Sequence, residues 1–157
     1  MKQLAAIALG SNLESAWGDR AATLDEAVRR VGLLGHVARV STFYETAPVG
    51  YLDQPEFLNG ALLLDTELTP QILLHALLEI EKAMGRDRSN AVAKGPRVID
   101  LDLILFGDVV LHTVELTLPH PAMTERRFVL EPLAEIAPDM RHPVSAMIMA
   151  ELLARLG

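Results

Sequence analysis

The alternation of apolar and polar residues along the chain predicts four strands and, between some of them, two helices. Continuous or alternating apolar residues indicate strands at residues 4–9, 36–46, 57–66 and 98–106. Apolar residues at helical spacing indicate helices at residues 19–34 and 69–84. The second helix has clear boundaries, because Thr69 is a suitable N-cap, Pro70 suits the first helical position and Gly85 suits the end.

Two further helices are expected towards the C-terminus, at residues 121–136 and 145–156, and Pro132 is expected to interrupt the first of them. The whole order is strand, helix, strand, strand, helix, strand and then extra helices. That order is typical of an α+β fold, a ferredoxin-like sandwich in which helices pack on an antiparallel sheet. No repeat, low-complexity tract or linker interrupts the chain, so we expect a single domain over residues 1–157.

Composition limits the class of protein further. With 50% hydrophobic and 22% charged residues, the chain has enough apolar side chains to form a core and is not expected to be disordered. The formal net charge of −7 argues against general binding to nucleic acid or to an anionic membrane. The absence of cysteine excludes disulfides, zinc thiolates and thiol catalysis.

The expected location follows from the lack of a targeting or membrane segment. Residues 4–9 resemble the apolar part of a signal peptide, but the run is short and no small-residue cleavage site follows it, so a buried first strand is the better explanation. No apolar run approaches the length of about 18 residues that a membrane span needs. We therefore expect a cytoplasmic protein with no nucleic-acid or membrane partner and no obligate protein partner.

The predicted strand at residues 98–106 carries two acidic residues on one side. Its other side is expected to be wholly apolar and to face the core, through Ile99, Leu101, Leu103 and Leu105. Asp100 and Asp102 then share the opposite face, about 6.6 Å apart by the rise of a strand. Like charges so close repel unless a cation lies between them, and hard divalent cations prefer carboxylate oxygens. From the strand alone, a metal site and a solvated sheet face explain the pair equally well.

The segment before this strand is basic. Its four cations and one anion give it a charge of 4 − 1 = +3, through Arg86, Arg88, Lys94, Arg97 and Asp87. Arginine binds phosphate oxygens through two parallel hydrogen bonds, and magnesium bridges phosphates to carboxylates. The chain has no glycine-rich phosphate-binding motif, so side chains and metal would have to hold a polyphosphate. A solvated charged loop is the alternative.

Five short motifs, in this order and spacing, resemble those of one enzyme family. They are Gly10-Ser-Asn12, Phe43-Tyr-Glu-Thr46, Asp53-Gln-Pro-Glu-Phe-Leu-Asn59, Gly95-Pro-Arg-Val-Ile-Asp-Leu-Asp102, and Leu118-Pro-His120 with Arg126 to Phe128. Together they are similar to the 6-hydroxymethyl-7,8-dihydropterin pyrophosphokinases, collinear from Gly10 to about Pro143. The resemblance implies a ferredoxin-like fold. It also implies transfer of the pyrophosphoryl group of ATP to the pterin's hydroxymethyl oxygen, with release of AMP, in folate biosynthesis.

The resemblance assigns roles to individual residues. It implies that Asp100 and Asp102 bind two magnesium ions (Mg²⁺) that bridge the phosphates of ATP, the co-substrate. The catalytic arginines that clamp the phosphates match Arg86 and Arg97. Positions around the nucleotide match Arg88, Thr117, His120 and Arg126. Positions that bind the pterin ring or read its polar edge match Thr46, Ala47, Val49, Phe57, Asn59 and Phe128.

Several residues keep a second explanation. Without the resemblance, an ordinary core is the preferred explanation of Phe57 and Phe128, and a simple turn histidine explains His120 about as well as a phosphate contact does. Glu81 matches an acidic position of the family, though a glutamate facing solvent is as good an explanation. The chain also departs from the family before Gly95, where a basic residue and tryptophan are common and Ala93 and Lys94 stand here.

Two other functions remain open at this point. One is a non-catalytic ferredoxin-like module that binds a small ligand. The other is a different ATP-dependent transferase that shares the strand with the two aspartates.

Overall fold

The computed structural model describes residues 2–47, 55–85 and 98–157. Within these ranges the strands are β1 (Gln3–Ser11), β2 (His36–Val40), β3 (Tyr44–Thr46), β4 (Phe57–Thr66), β5 (Asp100–Phe106), β6 (Leu111–His112) and β7 (Thr117–Leu118). The α-helices are α1 (Arg20–Val31), α2 (Pro70–Ala83), α3 (Arg127–Ile136) and α4 (Met149–Arg155). In these parts of the chain, no helix is both long and apolar enough to span a bilayer.

The main sheet is antiparallel, with the strand order β2-β4-β1-β5 and with β3 paired to β4. The strands β6 and β7 form a separate two-stranded sheet. The predicted order of strands and helices is therefore confirmed for a mixed fold of helices and antiparallel sheet. The first strand of the chain lies between the two strands, β4 and β5, that carry most of the predicted site residues.

Both faces of this sheet are buried under helices. The first core joins α1 and α2 to Ile7 and Leu9 of β1, and the second joins α3 and α4 to Ala6 and Ala8. Alternate residues of β1 thus enter different cores, which explains why its sequence is an unbroken apolar run. The two extra helices near the C-terminus cover the face that α1 and α2 leave open.

Helix boundaries agree with the predictions at the ends where a cap is present. The side chain of Thr69 accepts a hydrogen bond from the Ile72 N–H at the start of α2, and Asp19 does the same for Ala22 at the start of α1. After α2, Gly85 has a φ of 100°, a left-handed conformation that glycine adopts without strain.

Three predictions about the C-terminal helices are wrong, and one of them is the start at residue 145, since α4 begins at Met149. The helix α3 begins at Arg127, after a 3₁₀ turn at Met123–Glu125, and not at residue 121. It then passes through Pro132 without a break. Proline removes one N–H and crowds the carbonyl four residues earlier, and here that carbonyl belongs to Phe128, in the first turn, where the disturbance is least.

The predicted strand at residues 36–46 is divided into β2 and β3, because regular pairing with β4 is interrupted between them. Ser41 still contacts β4, since its N–H donates to the Ala61 carbonyl at 2.9 Å and its hydroxyl accepts a hydrogen bond from the Ala61 N–H at 2.9 Å. One residue later, the Thr42 N–H donates to the carboxylate of Glu135 in α3 at 3.0 Å. The regular ladder therefore stops where the Thr42 N–H bonds to α3 instead of β4.

A β-bulge in β5 divides the predicted apolar face of that strand between the two cores. Ala6 pairs with Leu105 and Ile7 with Leu103, so Ile104 is an extra residue. Leu103 accordingly joins the first core, whereas Leu105 joins the second. The prediction that Leu105 shares a face with Leu103 is wrong for this reason. The segment before the bulge keeps strict alternation, which places Asp100 and Asp102 on the α3/α4 face.

The turn before β2 gives a test of packing at a glycine. A methyl group on Gly35 would overlap the carbonyl oxygen of Asp65 and approach Thr66 Cα to 3.2 Å, whereas one on Gly32 would meet only Val37 at 3.7 Å. We expect Gly35→Ala to lower the free energy of unfolding by about 1–3 kcal/mol, because backbone atoms cannot move aside.

Urea denaturation of both variants measures the effect. The control Gly32→Ala should match the wild type or exceed it by up to about 1 kcal/mol, since its backbone conformation suits alanine. Equal stability of the two variants would contradict the overlap at Gly35.

Candidate functional site

Polar side chains of β4 and β5 lie on either side of β1 on the α3/α4 face of the sheet. In the ladders, Gly10 of β1 pairs with Asn59 of β4 on one side and with Asp100 of β5 on the other. Ala8 pairs with Asp102. Directly paired residues of an antiparallel sheet point to the same face. Asn59 and the two aspartates therefore flank a strip of very small residues.

The glycine in this strip makes room for the amide of Asn59. A Cβ atom on Gly10 would lie 2.9 Å from Asn59 Oδ1 and 3.7 Å from the ring of Phe57. Side chains from β4 thus pass directly over the backbone of β1. This explains the first residue of the Gly10-Ser-Asn12 motif by a close approach, with no need for a special backbone conformation.

The predicted pterin-binding residues on β3 and β4 adjoin one another. Asn59 is 93% buried, and its Nδ2 donates a hydrogen bond to Thr46 Oγ1. Thr46 pairs with Phe57 in the β3–β4 ladder, and Ala47 follows it directly. The structure therefore brings Thr46, Ala47, Phe57 and Asn59 to one place.

The two predicted ring-stacking residues are not core residues. Phe57 and Phe128 are both half-buried, in contrast to the apolar residues of either core. Phe128 packs at the border of the α3/α4 core, and its ring lies 5.6 Å from the guanidinium carbon of Arg126.

His120 lies near the aspartates and has a defined tautomer. Its Nδ1 accepts a hydrogen bond from the Ala122 N–H at 3.2 Å, so the neutral ring carries its proton on Nε2. Burial lowers the pKa of His120, and the charge of Arg126 lowers it further, whereas Asp100 acts in the opposite direction. The ring is therefore held as a neutral donor within electrostatic reach of Asp100 and Arg126.

The structure describes some of the remaining predicted site residues and not others. Thr117 and His120 line one pocket of about 570 Å³ on the C-terminal side, which His112, His142 and Arg155 also line. Predictions on Arg86, Arg88, Arg97 and Val49 lie outside the described residues.

The donor set on β5 suits a divalent cation that is shared with a substrate. Asp100 and Asp102 are half-exposed on one face. In the described parts of the chain, no group of three or more histidine, cysteine, aspartate or glutamate residues could hold a metal ion. Magnesium is commonly bound by one or two carboxylates, with phosphate oxygens and water completing its shell. Two carboxylates without a third protein ligand fit that pattern.

Sequence reasoning left Glu81 undecided, and the structure places it in the interior. The residue is 2% exposed, and its Oε2 accepts a hydrogen bond from the Leu101 N–H at 2.7 Å. The explanation of a solvent-facing glutamate is therefore wrong. Its spacing from Leu73 and Leu77 by multiples of four places it on the apolar side of α2, a signal available from the sequence.

Sequence reasoning also missed the contacts that hold the chain on either side of residues 48–54. Arg20 pairs with Glu45 on one side and donates to the Glu56 carbonyl at 2.9 Å on the other. Asn12 Nδ2 donates to the Pro55 carbonyl at 3.1 Å. The start of α1 thus supports the segments that carry Thr46 and Phe57.

Comparison with known proteins identifies the family. A family model described as 7,8-dihydro-6-hydroxymethylpterin-pyrophosphokinase matches residues 6–138. A Bacillus subtilis protein named 2-amino-4-hydroxy-6-hydroxymethyldihydropteridine pyrophosphokinase is 47% identical over 138 residues, which cover 87% of this chain and 79% of that protein. A Pseudomonas aeruginosa protein of the same name is 46% identical over 154 residues, which cover 98% and 92%. The chain belongs to the 7,8-dihydro-6-hydroxymethylpterin pyrophosphokinase family.

Other relatives are much longer. The folic acid synthesis protein fol1 of Schizosaccharomyces pombe is 39% identical over 156 residues, which cover 98% of this chain but 20% of that protein. The chain therefore spans about a fifth of the fungal relatives that it matches. The fold resembles a Plasmodium falciparum HPPK-DHPS triple mutant crystallised with pteroate, with a TM-score of 0.76 and 16% identity over 99% of this chain and 41% of that one. At that identity the likeness concerns the fold alone.

The strand that carries Thr46 is attached to α3 through Glu135. The hydroxyl of Tyr44 donates to Glu135 Oε1 at 2.5 Å, and Thr42 Oγ1 donates to the same atom at 2.7 Å. The hydrogen bond with Tyr44 lowers the pKa of Glu135 below its ordinary value of 4.5, and the same bond raises the pKa of Tyr44.

This pair predicts a pH dependence of stability. A carboxyl group with a lowered pKa in the folded state stabilises the fold above the ordinary value of 4.5, and loses that contribution as the pH falls through the folded value. We expect Glu135→Gln to reduce the loss of stability as the pH falls below 4.5, as measured by urea denaturation. Glu131→Gln on the same helix is the control and should keep the wild-type slope. A wild-type slope in Glu135→Gln would contradict the proposed coupling to Tyr44.

Proposed function

We propose that this protein transfers the pyrophosphoryl group of ATP to the hydroxymethyl oxygen of 6-hydroxymethyl-7,8-dihydropterin. The products are the pterin diphosphate and AMP, and the reaction is a step of folate biosynthesis. One observation carries the proposal: an amide suited to reading a pterin, Asn59, lies across β1 from Asp100 and Asp102. Membership of the family supports the same reaction.

The metal part of the proposal rests on the carboxylates of β5. Asp100 and Asp102 would hold two magnesium ions against the phosphates of ATP, consistent with a donor set of two carboxylates. When bound, magnesium supplies charge neutralisation at the phosphoryl oxygens. Arg86 and Arg97 are proposed to clamp the same phosphates, with Arg88 beside them.

The chain's own groups then position two substrates. Phosphoryl transfer needs mainly positioning and charge stabilisation, so no strong protein base is required. His120 offers its Nε2–H to a phosphate oxygen, since its Nδ1 already accepts from Ala122. Thr117 and Arg126 line the nucleotide side with it. The positive charge of Arg126 complements the ATP phosphates.

The pterin side needs flat walls and a polar edge. Phe57 and Phe128 are proposed to stack on the ring, and both residues are half-buried. Asn59 is proposed to hydrogen-bond the polar edge of the pterin. The backbone of Thr46, Ala47 and Val49 completes that recognition in the proposal.

We further propose that the sandwich is ferredoxin-like and that residues 1–157 form one pterin pyrophosphokinase domain. If β2 and β3 are taken as one interrupted strand, the order β5-β1-β4-β2 supports this topology. We propose a cytoplasmic location, with ATP and the pterin as partners and with no nucleic-acid, membrane or obligate protein partner.

An end-point assay with purified protein, ATP, magnesium and 6-hydroxymethyl-7,8-dihydropterin tests the reaction. AMP should appear in step with diphosphorylated pterin, and only when all three components are present. Asp100→Asn and Asp102→Asn should each lower the rate about 100-fold or more, because charge stabilisation by a metal is worth several kcal/mol. Asp108→Asn, at an exposed aspartate just after β5, is the control and should retain the wild-type rate.

Other products would identify other functions. ADP in place of AMP would mean transfer of a single phosphoryl group. ATP binding with no pterin-dependent turnover would favour a binding module or a transferase with another acceptor. Full activity of both aspartate variants would show that the metal assignment is wrong.

The pterin assignment has a separate test. Asn59→Ala should raise the KM for the pterin about 10- to 100-fold and leave the KM for ATP unchanged, because a buried polar edge of the ligand loses its partner. Leu58→Ala is the matched control, since Leu58 packs against the opposite core. It should lower stability without changing either KM. If Asn59→Ala left both constants unchanged, the pterin would have to bind elsewhere.

A further inference from the structure

The two aspartates lie on a strand that forms an edge of the main sheet. In the order β2-β4-β1-β5, β1 is the strand that pairs with β5 among the described residues. In an antiparallel ladder, alternate N–H and C=O groups point away from the partner strand. The outward groups of β5 must therefore bond to something other than a strand if the edge is to keep one conformation.

Two hydrogen bonds meet this need on either side of Asp102. The Leu101 N–H donates to Glu81 Oε2 at 2.7 Å, and the His120 N–H donates to the Ile104 carbonyl at 2.9 Å. The first bond is made at the residue between Asp100 and Asp102. The outer edge of β5 is thus fastened within one residue of each carboxylate.

Glu81 reaches this position from the first core. It lies near the end of α2, one turn after Leu77, which is fully buried. A carboxylate in such surroundings costs free energy unless it is hydrogen-bonded, and a leucine would continue the apolar stripe at a lower cost. Its bond to the Leu101 N–H gives one of its oxygens a partner in that interior. A glutamate at position 81 is therefore better explained by its hydrogen bond to the Leu101 backbone than by packing in the core.

We propose that Glu81 is a positioning residue that sets the spacing and direction of Asp100 and Asp102 through the backbone of Leu101. The inference rests on the proposed function, because it concerns how these aspartates hold MgATP. Glu81 enters from the α1/α2 side, whereas the aspartates face α3 and α4. It therefore acts on the strand and is not a third ligand.

The experiment compares two substitutions at this position with two controls on the same helix. Glu81→Leu removes the acceptor at similar volume, and Glu81→Gln keeps an acceptor oxygen without the charge. Leu77→Ala is a control for loss of stability on the same side of α2, and Glu79→Leu is a control at an exposed glutamate. The readouts are Mn²⁺ binding by electron paramagnetic resonance with a non-hydrolysable ATP analogue, exchange of the Leu101 amide by NMR, and both KM values.

We expect Glu81→Leu to raise the Kd for Mn²⁺ about tenfold or more, in line with the loss of a group that orients metal ligands. The Leu101 amide should exchange faster, while the KM for the pterin stays unchanged. Glu81→Gln should keep the Leu101 amide protected and bind Mn²⁺ like the wild type. Leu77→Ala should lower stability and leave the Kd for Mn²⁺ unchanged, and Glu79→Leu should resemble the wild type.

Three results would overturn the proposal. The first is a folded Glu81→Leu variant with wild-type Mn²⁺ binding. The second is an equal weakening of Mn²⁺ binding in Leu77→Ala, which would mean general destabilisation. The third, which remains decisive if Glu81→Leu does not fold, is weaker Mn²⁺ binding by Glu81→Gln with the Leu101 amide still protected. That result would assign the effect to charge instead of position.

The design also separates this inference from the proposed reaction. If the wild type makes no AMP but Glu81→Leu weakens Mn²⁺ binding, the reaction is wrong and the positioning role stands. If the wild type makes AMP and Glu81→Leu binds Mn²⁺ normally, the reaction stands and the positioning role is wrong.

Discussion

The pairing of β1 on both sides is the constraint on which the rest of the structure depends. Residues Gln3–Ser11 pair with β4 along their whole length, and most of them also pair with β5. The strands that carry Asn59 and the aspartates are therefore held at one strand spacing, about 4.8 Å, from the same central backbone. Side-chain size then divides the two faces. The large side chains of Ile7 and Leu9 fill the first core. On the opposite face, the small residues Ala8 and Gly10 leave room above the backbone at the end of β1.

Along β4 and β5, the residues on the α3/α4 face change from predicted site residues at one end to core residues further along. On the α3/α4 face, β4 proceeds from Asn59 to apolar Ala61, and β5 proceeds from Asp102 to Ile104 and Leu105 after the bulge. Polar residues occupy one end of this face, and apolar residues occupy the part that packs against α3 and α4. Because regular strands position these groups, their mutual distances are set by the ladder rather than by a loop.

Much of this could be predicted from the sequence because it depends on local pattern. Period-two alternation placed the two aspartates on one face, and the apolar run at residues 4–9 indicated a buried strand. The remainder depends on partners far along the chain. The division of the strand at Thr42 requires Glu135, and the bulge at Ile104 requires the register with β1. The placement of Asn59 across β1 from Asp100 likewise follows from the pairing of both residues with Gly10. No local sequence pattern contains that pairing.

Among the described residues, one side of the β5 backbone has no neighbouring strand, and such an edge is a demanding place for a site. Such a strand gives its side chains access to a bulky nucleotide, but its outward amides and carbonyls need other partners. Here those partners come from two separate elements, the carboxylate of Glu81 in α2 and the backbone of His120 after β7. Glu81 bonds to the residue between Asp100 and Asp102, and His120 is itself predicted to bind the nucleotide. Contacts from outside the sheet therefore order the edge strand while its side chains stay accessible, and this is how a buried glutamate would act on the proposed metal site through the backbone.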